Sequence, residues 1–395
     1  MTSPTLQPTD PGAVGFSAAG LHRLHEALSR EIQRSRIPGA VALIARRGRI
    51  AWFESLGVRD PASGTKMTND TIFRIYSMTK AIVSVATMML MEEGRLVLAD
   101  PISRFLPAFA KPKVAVERDG KTELVPAERE ITIQDLLRHT SGLTYEFNGE
   151  TSVHRAYREA KVFRRDQTNS DLVGALAPIP LLHQPGARWE YSRSTDVLGR
   201  LLEVVTGKPL GDLLLERILK PLGMADTGFH VPAEHHHRIA EPFAKDPDSG
   251  ADIALLDVRK PSMLQSGGGG MVATTLDYAR FLQMLLNGGA LDGVRLLSRK
   301  TVEHMTSDHL GSIAGIATMT GPGYGFGLGF AVRLADGIVP TPGSAGQYYW
   351  GGVAGTIFWV DPKEQLIALL MTQGPNQREY NRALFRGLVY GAFGD

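Results

Sequence analysis

The sequence has no cysteine among its 395 residues. Disulfide bonds, thiolate metal sites and cysteine nucleophiles are therefore excluded together. Neither sign of charge is in excess, since 43 Lys and Arg residues stand against 41 Asp and Glu residues, for a net charge of +2. So small a net charge gives no field that would attract nucleic acid or an acidic membrane surface, and we expect neither as a partner.

Long apolar runs are also missing from the sequence. No uninterrupted apolar stretch is long enough to span a bilayer, and residues 1–8 have neither the basic nor the apolar region of a secretory signal. We therefore expect a cytoplasmic protein. The hydrophobic content of 43% is sufficient for a sizeable core, in one large domain or two interleaved ones.

Hydrophobic spacing predicts helices and strands in a clear order along the chain. Residues 17–35 have the spacing of an amphipathic helix, and residues 40–45 and 50–57 have the pattern of a strand hairpin. The other predicted elements are a hairpin around 118–121, helices at 133–139, 195–206, 210–222, 275–287 and 376–390, and strands at 325–334, 354–360 and 365–372.

Strands at both ends of the chain, with helices between them, predict an α+β fold. A mixed antiparallel sheet would be built from the two termini and flanked by terminal helices, with a mainly helical second lobe. We expect residues 17–75 and 288–395 to form the α/β lobe and residues 76–287 the helical lobe. Pockets usually lie between such units, so we expect the active site there.

Ser77 and Lys80 form a Ser-x-x-Lys pair at the predicted start of a helix. Residues three apart share a helix face, so the Lys80 amine can reach the Ser77 hydroxyl. Such a lysine can act as the base for a serine nucleophile if burial or nearby positive charge lowers its pKa. The apolar run at 81–91 predicts that this helix is buried.

The tetrapeptide alone is weak evidence, because a chain of this size contains on the order of one Ser-x-x-Lys by chance. Ser63 and Lys66 give a second match. They follow an Asp-Pro pair and enclose a glycine, so the pattern predicts an exposed hairpin turn, and we exclude Ser63 as a nucleophile.

Two further segments carry groups that a serine hydrolase needs. Tyr191 lies on a loop that enters a helix, where its hydroxyl could act as a base, although a lone tyrosine more often packs its ring. Residues 350–355 read Trp-Gly-Gly-Val-Ala-Gly at a predicted strand entrance. Glycines there allow the close approach that an oxyanion-hole N–H needs, and a tight turn is the alternative.

Other suggestive residues receive simpler interpretations. Three adjacent histidines, residues 235–237, cannot converge on one ion and predict a solvated loop. His139 is expected to cap a helix end. The glycines at 267–270 lack the Lys and Ser/Thr of a phosphate loop and predict a loop near the substrate. Five aromatic residues could line a pocket or fill the core: Tyr145, Phe147, Trp189, Tyr348 and Tyr349.

These segments, in this order, resemble the serine β-lactamase and penicillin-binding-protein superfamily, and within it the class C-like family VIII carboxylesterases. The resemblance covers nearly the whole chain. It rests on Ser77 with Lys80, the Leu-Leu-Arg-His-Thr-Ser-Gly-Leu run at 136–143, Tyr191-Ser192-Arg193, Pro-Leu-Gly-Met at 221–224, Ser-Gly-Gly at 266–268 and Trp350-Gly351-Gly352. No Gly-x-Ser-x-Gly elbow is present, which argues against an α/β-hydrolase.

The resemblance implies a serine carboxylesterase that cleaves short-chain esters without metal or cofactor. Ser77 would be acylated, Lys80 and Tyr191 would handle its proton in an order left open, and the N–H groups of Ser77 and Val353 would hold the oxyanion. Arg193 stands in place of an amide-binding Asn, and Trp350-Gly351 in place of a carboxylate-binding Lys-Thr. The expected substrate-binding residues are Tyr145, Trp189, Arg193, Tyr349, Trp350, Gly351 and Gly352.

Two alternatives remain open at this point. An acyltransferase would use the same Ser-Lys-Tyr site with an alcohol or amine in place of water. A penicillin-binding or β-lactamase-type module would be acylated slowly and turn over slowly. The sequence predicts a small-molecule ester as the partner and leaves the oligomeric state open.

Overall fold

The structure is a computed structural model that describes residues 5–118 and 120–394. Its strands are β1 (Gln7–Pro8), β2 (Gly39–Arg46), β3 (Arg49–Asp60), β4 (Thr65–Lys66), β5 (Ile72–Arg74), β6 (Lys113–Arg118), β7 (Lys121–Pro126), β8 (Val272–Thr274), β9 (Ala290–Leu291), β10 (Val294–Arg295), β11 (Tyr324–Phe326), β12 (Ala331–Arg333), β13 (Tyr348–Gly351), β14 (Ile357–Asp361) and β15 (Leu366–Thr372).

The α-helices are α1 (Ala18–Gln33), α2 (Thr79–Glu92), α3 (Ile133–Leu137), α4 (Ser152–Glu159), α5 (Asn169–Leu176), α6 (Ser194–Thr206), α7 (Leu210–Leu214), α8 (Thr275–Leu286), α9 (Arg299–Met305), α10 (Ala317–Thr320) and α11 (Arg378–Tyr390). A 3₁₀ turn, Tyr76–Met78, leads into α2. A π-helical turn, Leu215–Leu219, continues α7.

The main sheet joins the two ends of the chain. It has nine strands in the order β1-β3-β2-β15-β14-β13-β12-β11, with β4 on the edge of β3. Only the short β1 runs parallel to its neighbour, and β2 and β15 pair antiparallel from Ala40 with Thr372 to Arg46 with Leu366. The predicted α+β fold with a mixed sheet from both termini is confirmed.

Strand β2 explains why both faces of this sheet are covered. Val41 and Leu43 belong to the core that contains α2, whereas Ala42 and Ile44 belong to the core that contains α1 and α11. Successive side chains of a strand point to opposite faces, so a strand buried on both sides is apolar throughout. The sheet therefore separates the terminal helices α1 and α11 from helix α2.

Helix α1 forms where the leucine spacing predicts it. The Ser17 side chain accepts a hydrogen bond from Gly20 N–H at 2.9 Å, which caps the helix start. Leu24 and Leu28 are fully buried, and α1 packs against α11. The predicted helix at 17–35 is therefore confirmed, as are the strand pair β2–β3 and the closing helix α11.

Three predicted elements differ from the structure. The strand predicted at 325–334 is a hairpin of β11 and β12, because the chain turns at Gly327, whose N–H donates to Phe330 O at 2.8 Å. The helix predicted at 210–222 is α-helical only through α7. The strand predicted at 354–360 begins at Ile357, and Trp350 lies within β13 rather than at a strand entrance.

The predicted hairpin around 118–121 is formed by β6 and β7, which pair Arg118 with Lys121, while Asp119 lies outside the described residues. Residues 1–4 of the predicted N-terminal segment lie outside them as well. Helix α8, in the range predicted as helical lobe, packs on β2 and β15. The division into two lobes stays a prediction, with α8 on the sheet side. Within the described ranges, no helix has the length and apolar character needed to cross a membrane.

Candidate active site

Ser77 sits in the 3₁₀ turn at the start of the buried helix α2. The preceding residue, Tyr76, has φ of +41°, a left-handed backbone that costs a non-glycine residue free energy and recurs at functional sites. The Tyr76 hydroxyl accepts a hydrogen bond from Leu256 N–H at 2.9 Å, and Tyr278 Oη donates to Met78 O at 2.9 Å. These contacts fix the turn and leave Ser77 half-buried at the wall of a cleft.

Lys80 lies one turn below Ser77 and is 1% exposed. Its Nζ donates to Ser77 Oγ at 3.4 Å, to Tyr145 Oη at 3.0 Å and to Gly268 O at 2.6 Å. An ammonium group has three N–H donors, so each of them has an acceptor. The predicted contact between Ser77 and Lys80 is therefore present, and the glycine run at 267–270 lies beside it.

The charge state of Lys80 differs from the expectation. Burial alone would lower the pKa of Lys80, but the phenol oxygens of Tyr145 and Tyr191 and the carboxylate of Asp196 outweigh burial and raise this pKa above its ordinary value. The sequence indicates that Lys80 is buried, but it does not show which oxygen atoms of distant segments lie beside the amine. Lys80 is a cation at neutral pH in this arrangement.

Tyr191 lies on the other side of the Lys80 amine. Lys80 Nζ is 4.6 Å from the centre of the Tyr191 ring, and Trp350 Nε1 donates to Tyr191 Oη at 3.2 Å. The ring is held by neighbouring rings, with Tyr145 at 5.3 Å and His139 at 4.9 Å. A cation and an indole N–H donor thus both lie beside the Tyr191 phenol.

His139 and Trp189 form the packing behind Tyr191. His139 has φ of +58° just after α3, a left-handed residue that ends the helix, as predicted for this position. The His139 imidazole also has contacts that were not predicted: it packs on the Tyr191 ring, and its Nδ1 lies 3.1 Å from Ser192 Oγ. Trp189 is 2% exposed and stacks behind Tyr191. It therefore does not line the cleft, although it was predicted to bind substrate.

Arg193 is buried among charged and aromatic groups. Its guanidinium pairs with Glu146 and with Asp196, at 3.5 Å from Asp196 Oδ2, and lies 4.6 Å from the Tyr145 ring centre and 4.3 Å from that of Phe163. Two carboxylates compensate its charge. Arg193 touches the cleft wall but points neither freely into the cleft nor into solvent.

The turn between β13 and β14 approaches the serine turn. A Cβ on Gly352 would lie 2.5 Å from Ile75 O, so only glycine lets these two backbones come so close. The Val353 N–H that follows has no acceptor within the described part of the chain. Ser77 N–H belongs to the first turn of a helical segment, where N–H groups lack helical partners. Both groups are thus available to an oxyanion.

The cleft itself has a volume of about 720 Å³. Of the residues predicted to bind substrate, Tyr145, Arg193, Tyr349, Trp350 and Gly351 line it, together with Val353. Gly352 supports the wall from behind, and Tyr348 is a core residue.

Sequence reasoning missed Asp196 and Glu146 as partners of the site. Asp196 accepts hydrogen bonds from Ser266 Oγ at 2.5 Å and from Gly268 N–H at 3.0 Å, so it fixes the glycine loop that holds Lys80. Asp196 follows Arg193 by three residues at a helix start, and this spacing was the signal in the sequence that could have indicated an ion pair between them.

A metal site is not among these features. Across residues 5–118 and 120–394, no group of three or more His, Asp or Glu side chains could hold a metal ion. The histidines at 235–237 lie in a 3₁₀ turn, where His236 Nε2 is 3.0 Å from Val231 O.

The site places a serine at a helix start, a buried lysine one turn later and a tyrosine beside that lysine, and the sheet is built from both ends of the chain. This combination defines the class of penicillin-binding-protein-like serine enzymes. The chain belongs to the β-lactamase family, whose profile matches residues 24–390.

Individual relatives agree with this assignment. Protein Rv1367c of Mycobacterium tuberculosis is 37% identical over 348 residues, 85% of this chain and 86% of that protein. Esterase EstB of Burkholderia gladioli is 34% identical over 392 residues, 94% of each chain. The solved structure of EstCE1, a hydrolase with promiscuous acyltransferase activity, superposes with a TM-score of 0.81 at 29% identity and covers 94% of this chain and 99% of that chain. The resemblance to the esterase branch is thereby confirmed.

Proposed function

We propose that the protein is a serine carboxylesterase that hydrolyses short-chain esters through an acyl-enzyme on Ser77. The observation that carries this proposal is the Lys80 ammonium, which contacts Ser77 Oγ while lying under the Tyr191 ring. The likeness to EstB and EstCE1, both named for activity of this type, supports the same reaction class.

Tyr191 is the base in this proposal. Lys80 is a cation with its three N–H groups engaged, so it has no lone pair to accept a proton. Burial raises the pKa of Tyr145, so that phenol stays protonated and positions Lys80. The Tyr191 oxygen, which receives the Trp350 N–H and faces the ammonium, is the group left to carry negative charge.

The two half-reactions then follow from these positions. The Tyr191 phenolate takes the Ser77 proton while Oγ attacks the ester carbon, and negative charge develops on the carbonyl oxygen between Ser77 N–H and Val353 N–H. Tyr191 returns the proton to the leaving alcohol. Water then attacks the acyl-enzyme by the same route, releasing the acid and freeing Ser77.

The cleft wall near Ser77 favours neutral esters over β-lactams. A penicillin carboxylate needs a cationic or hydroxyl-rich clamp beside the reacting carbonyl, and Trp350 and Gly351 provide neither. The charge of Arg193 is already compensated by Glu146 and Asp196.

The test is a direct comparison of kcat/KM for nitrophenyl butyrate, a penicillin and a chromogenic cephalosporin. We expect rapid turnover of the ester and at most weak opening of the β-lactams. A kcat/KM for either β-lactam equal to that for the ester would overturn the assignment, and stable acylation without turnover would point to a penicillin-binding module instead.

Acyl transfer is a second candidate reaction at the same site. The cleft volume of about 720 Å³ leaves room for an alcohol beside a short acyl chain, and EstCE1 has promiscuous acyltransferase activity. Adding increasing concentrations of a primary alcohol to the nitrophenyl butyrate reaction, and measuring free butyrate against the butyrate ester of that alcohol, separates the two. Predominant ester product at low alcohol concentration would make the protein an acyltransferase.

A further inference from the structure

Helix α11 carries three arginines that face the cleft. Arg378, Arg382 and Arg386 recur at every fourth residue, which places them on one side of the helix, and all three line the cleft. Arg378 and Arg382 pair with Glu379, whose side chain is 75% exposed. The mechanism proposed above uses none of these residues.

Arg386 is the unusual member of this set. It is 5% exposed, and no carboxylate of the described residues lies within ion-pair distance of it. Its Nη1 donates to Tyr324 Oη at 2.9 Å, whereas Nε and Nη2 are buried without an acceptor. Arginine is always charged, and a buried charge without a counter-ion is costly, so this guanidinium requires an explanation.

The groups around Arg386 do not neutralise it. Its guanidinium lies 4.8 Å from the ring centre of Tyr349 and 5.1 Å from that of Trp359, and such stacking leaves the positive charge in place. The carboxylate of Asp361 is bound by Tyr390 Oη at 2.7 Å and by Ser344 N–H at 3.2 Å, and it makes no ion pair with Arg386.

Two tyrosine hydroxyls stand between this charge and the cleft. Tyr324 Oη accepts the Arg386 hydrogen bond, so its own O–H proton remains to be donated. Tyr349 Oη has no hydrogen-bond partner among the described residues, and burial raises the pKa of Tyr349, which keeps its O–H as a donor. Both residues line the cleft, with ring centres 5.0 Å apart.

The two ends of the cleft therefore differ in charge balance. Beside Ser77, the cations Lys80 and Arg193 share Asp196 and Glu146. At α11, Arg378 and Arg382 share Glu379, and Arg386 pairs with no carboxylate of the described residues. A low-dielectric wall with uncompensated positive charge and free O–H donors attracts anions.

We propose that this end of the cleft, formed by Tyr324, Tyr349 and Arg386, binds an anionic group of the substrate. The preferred substrates are then esters that carry a carboxylate at a distance from the ester bond, in the acyl or the alcohol part. This inference rests on the proposed function and names its substrate class. It does not extend to β-lactams, whose carboxylate lies close to the reacting carbonyl.

The experiment measures kcat/KM for matched pairs of esters that differ only in one negative charge. For the acyl side, nitrophenyl half-esters of adipic and suberic acid are compared with the same compounds methylated at the free carboxyl. For the alcohol side, 4-(2-carboxyethyl)phenyl butyrate is compared with its methyl ester. We expect the anionic member to be preferred about tenfold or more in at least one pair, as for a charge-assisted contact. A preference for the neutral member in every pair overturns the inference.

Variants locate the preference at Arg386. Arg386→Met should reduce the anionic-to-neutral ratio about tenfold, Arg386→Lys should retain most of it, and Tyr349→Phe should reduce it by a smaller factor. Arg34→Met removes an equal charge from a side chain that is 68% exposed on another helix and should leave the ratio unchanged. The ratio is independent of the amount of folded enzyme, so a poorly folding variant still gives a result.

The outcomes separate this inference from the proposed function. Ser77-dependent hydrolysis of the neutral esters, with a ratio that survives Arg386→Met, contradicts only the anion site. Hydrolysis that persists in Ser77→Ala contradicts the proposed function itself. If Arg386→Met has no activity on either ester, the anion site is tested by the anionic-to-neutral ratios of wild type and of Tyr349→Phe. A lower ratio in Tyr349→Phe than in wild type supports the site, and an equal ratio contradicts it.

Discussion

The chain contains the tetrapeptide Ser-x-x-Lys twice, and the two copies share almost nothing beyond their letters. Ser63 is exposed in the turn between β3 and β4, where its Oγ donates to Asp60 Oδ2 at 2.7 Å, and Lys66 is exposed in the short strand β4. Ser77 and Lys80 begin a helix in which every residue from Thr79 to Leu90 is buried.

The difference lies in what distant segments bring to each copy. Around Lys80, segments remote in sequence supply Tyr145, Tyr191 and Gly268, which fix the amine and set its charge. Around Lys66 there is solvent. The four-residue pattern therefore makes a reactive pair possible, and tertiary structure decides which copy becomes one.

The sharpest way to break this comparison is to delete each serine in turn. Ser77→Ala should lower kcat/KM for nitrophenyl butyrate by about a thousandfold or more, because Ser77 is the one serine of the described residues whose hydroxyl contacts the buried amine. Ser63→Ala is the matched control and should stay within about twofold of wild type. Equal losses in both variants would remove the distinction between the two copies.

The next largest effects concern the groups that surround Lys80. Lys80→Ala and Tyr191→Phe should each lower kcat by about a hundredfold or more, since Tyr191 transfers the Ser77 proton and the Lys80 ammonium supports that transfer. The double variant should be little worse than the worse single variant, whereas fully multiplicative losses would show independent roles. Lys66→Ala, in the exposed copy, should have no measurable effect on kcat.

A smaller effect is expected from the indole N–H above Tyr191. Trp350→Phe keeps an aromatic wall but removes the donor that lies 3.2 Å from Tyr191 Oη. Loss of the hydrogen bond that positions the Tyr191 oxygen for proton transfer should lower kcat about tenfold, with little change in KM for a neutral ester. An unchanged kcat would show that the Lys80 ammonium is sufficient for Tyr191 to act as the base without the Trp350 hydrogen bond.

The smallest effect on activity is expected at Asp135, a buried charge outside the cleft. Burial alone would raise the pKa of Asp135, but hydrogen bonds from Arg129, Thr132 and Thr140 outweigh burial and lower this pKa. Asp135→Asn should leave kcat within about threefold of wild type and reduce the free energy of unfolding by about 3 kcal/mol, because it leaves arginines unpaired.

The pH dependence of that loss has a definite sign. A carboxyl whose pKa is lower in the folded state than the ordinary 3.8 stabilises the fold above that ordinary value, and the contribution disappears as the pH falls through the folded-state pKa. Urea unfolding of wild type and Asp135→Asn should therefore differ fully at pH 7 and converge as the pH falls below 3.8 through the folded-state pKa of Asp135. A difference that grows on acidification would contradict this account.

Much of this structure could be predicted from local sequence. The leucine spacing of α1 and the continuous apolar run of β2 depend on which faces are buried, which the sequence records directly. The serine–lysine pair could be predicted because both residues lie on one helix turn.

Contacts between distant segments could not be predicted in the same way. The raised pKa of Lys80 depends on Tyr145 and Tyr191, which lie 65 and 111 positions away in the sequence. Trp189 was predicted to bind substrate as one of five aromatics that could line a pocket or fill the core, but it is buried and Tyr191 lines the cleft instead. The arginines of α11 recur at every fourth residue of the sequence, but only the tertiary structure shows that this face lies toward the cleft.

The central claim is that the buried Ser-x-x-Lys copy alone forms the acyl-enzyme. The most direct measurement labels the protein with a fluorophosphonate ester probe and locates the adduct by intact mass and peptide mapping. The account predicts one adduct per chain, on Ser77, absent from Ser77→Ala and undiminished in Ser63→Ala. An adduct that maps to another residue, or that persists in Ser77→Ala, would contradict it.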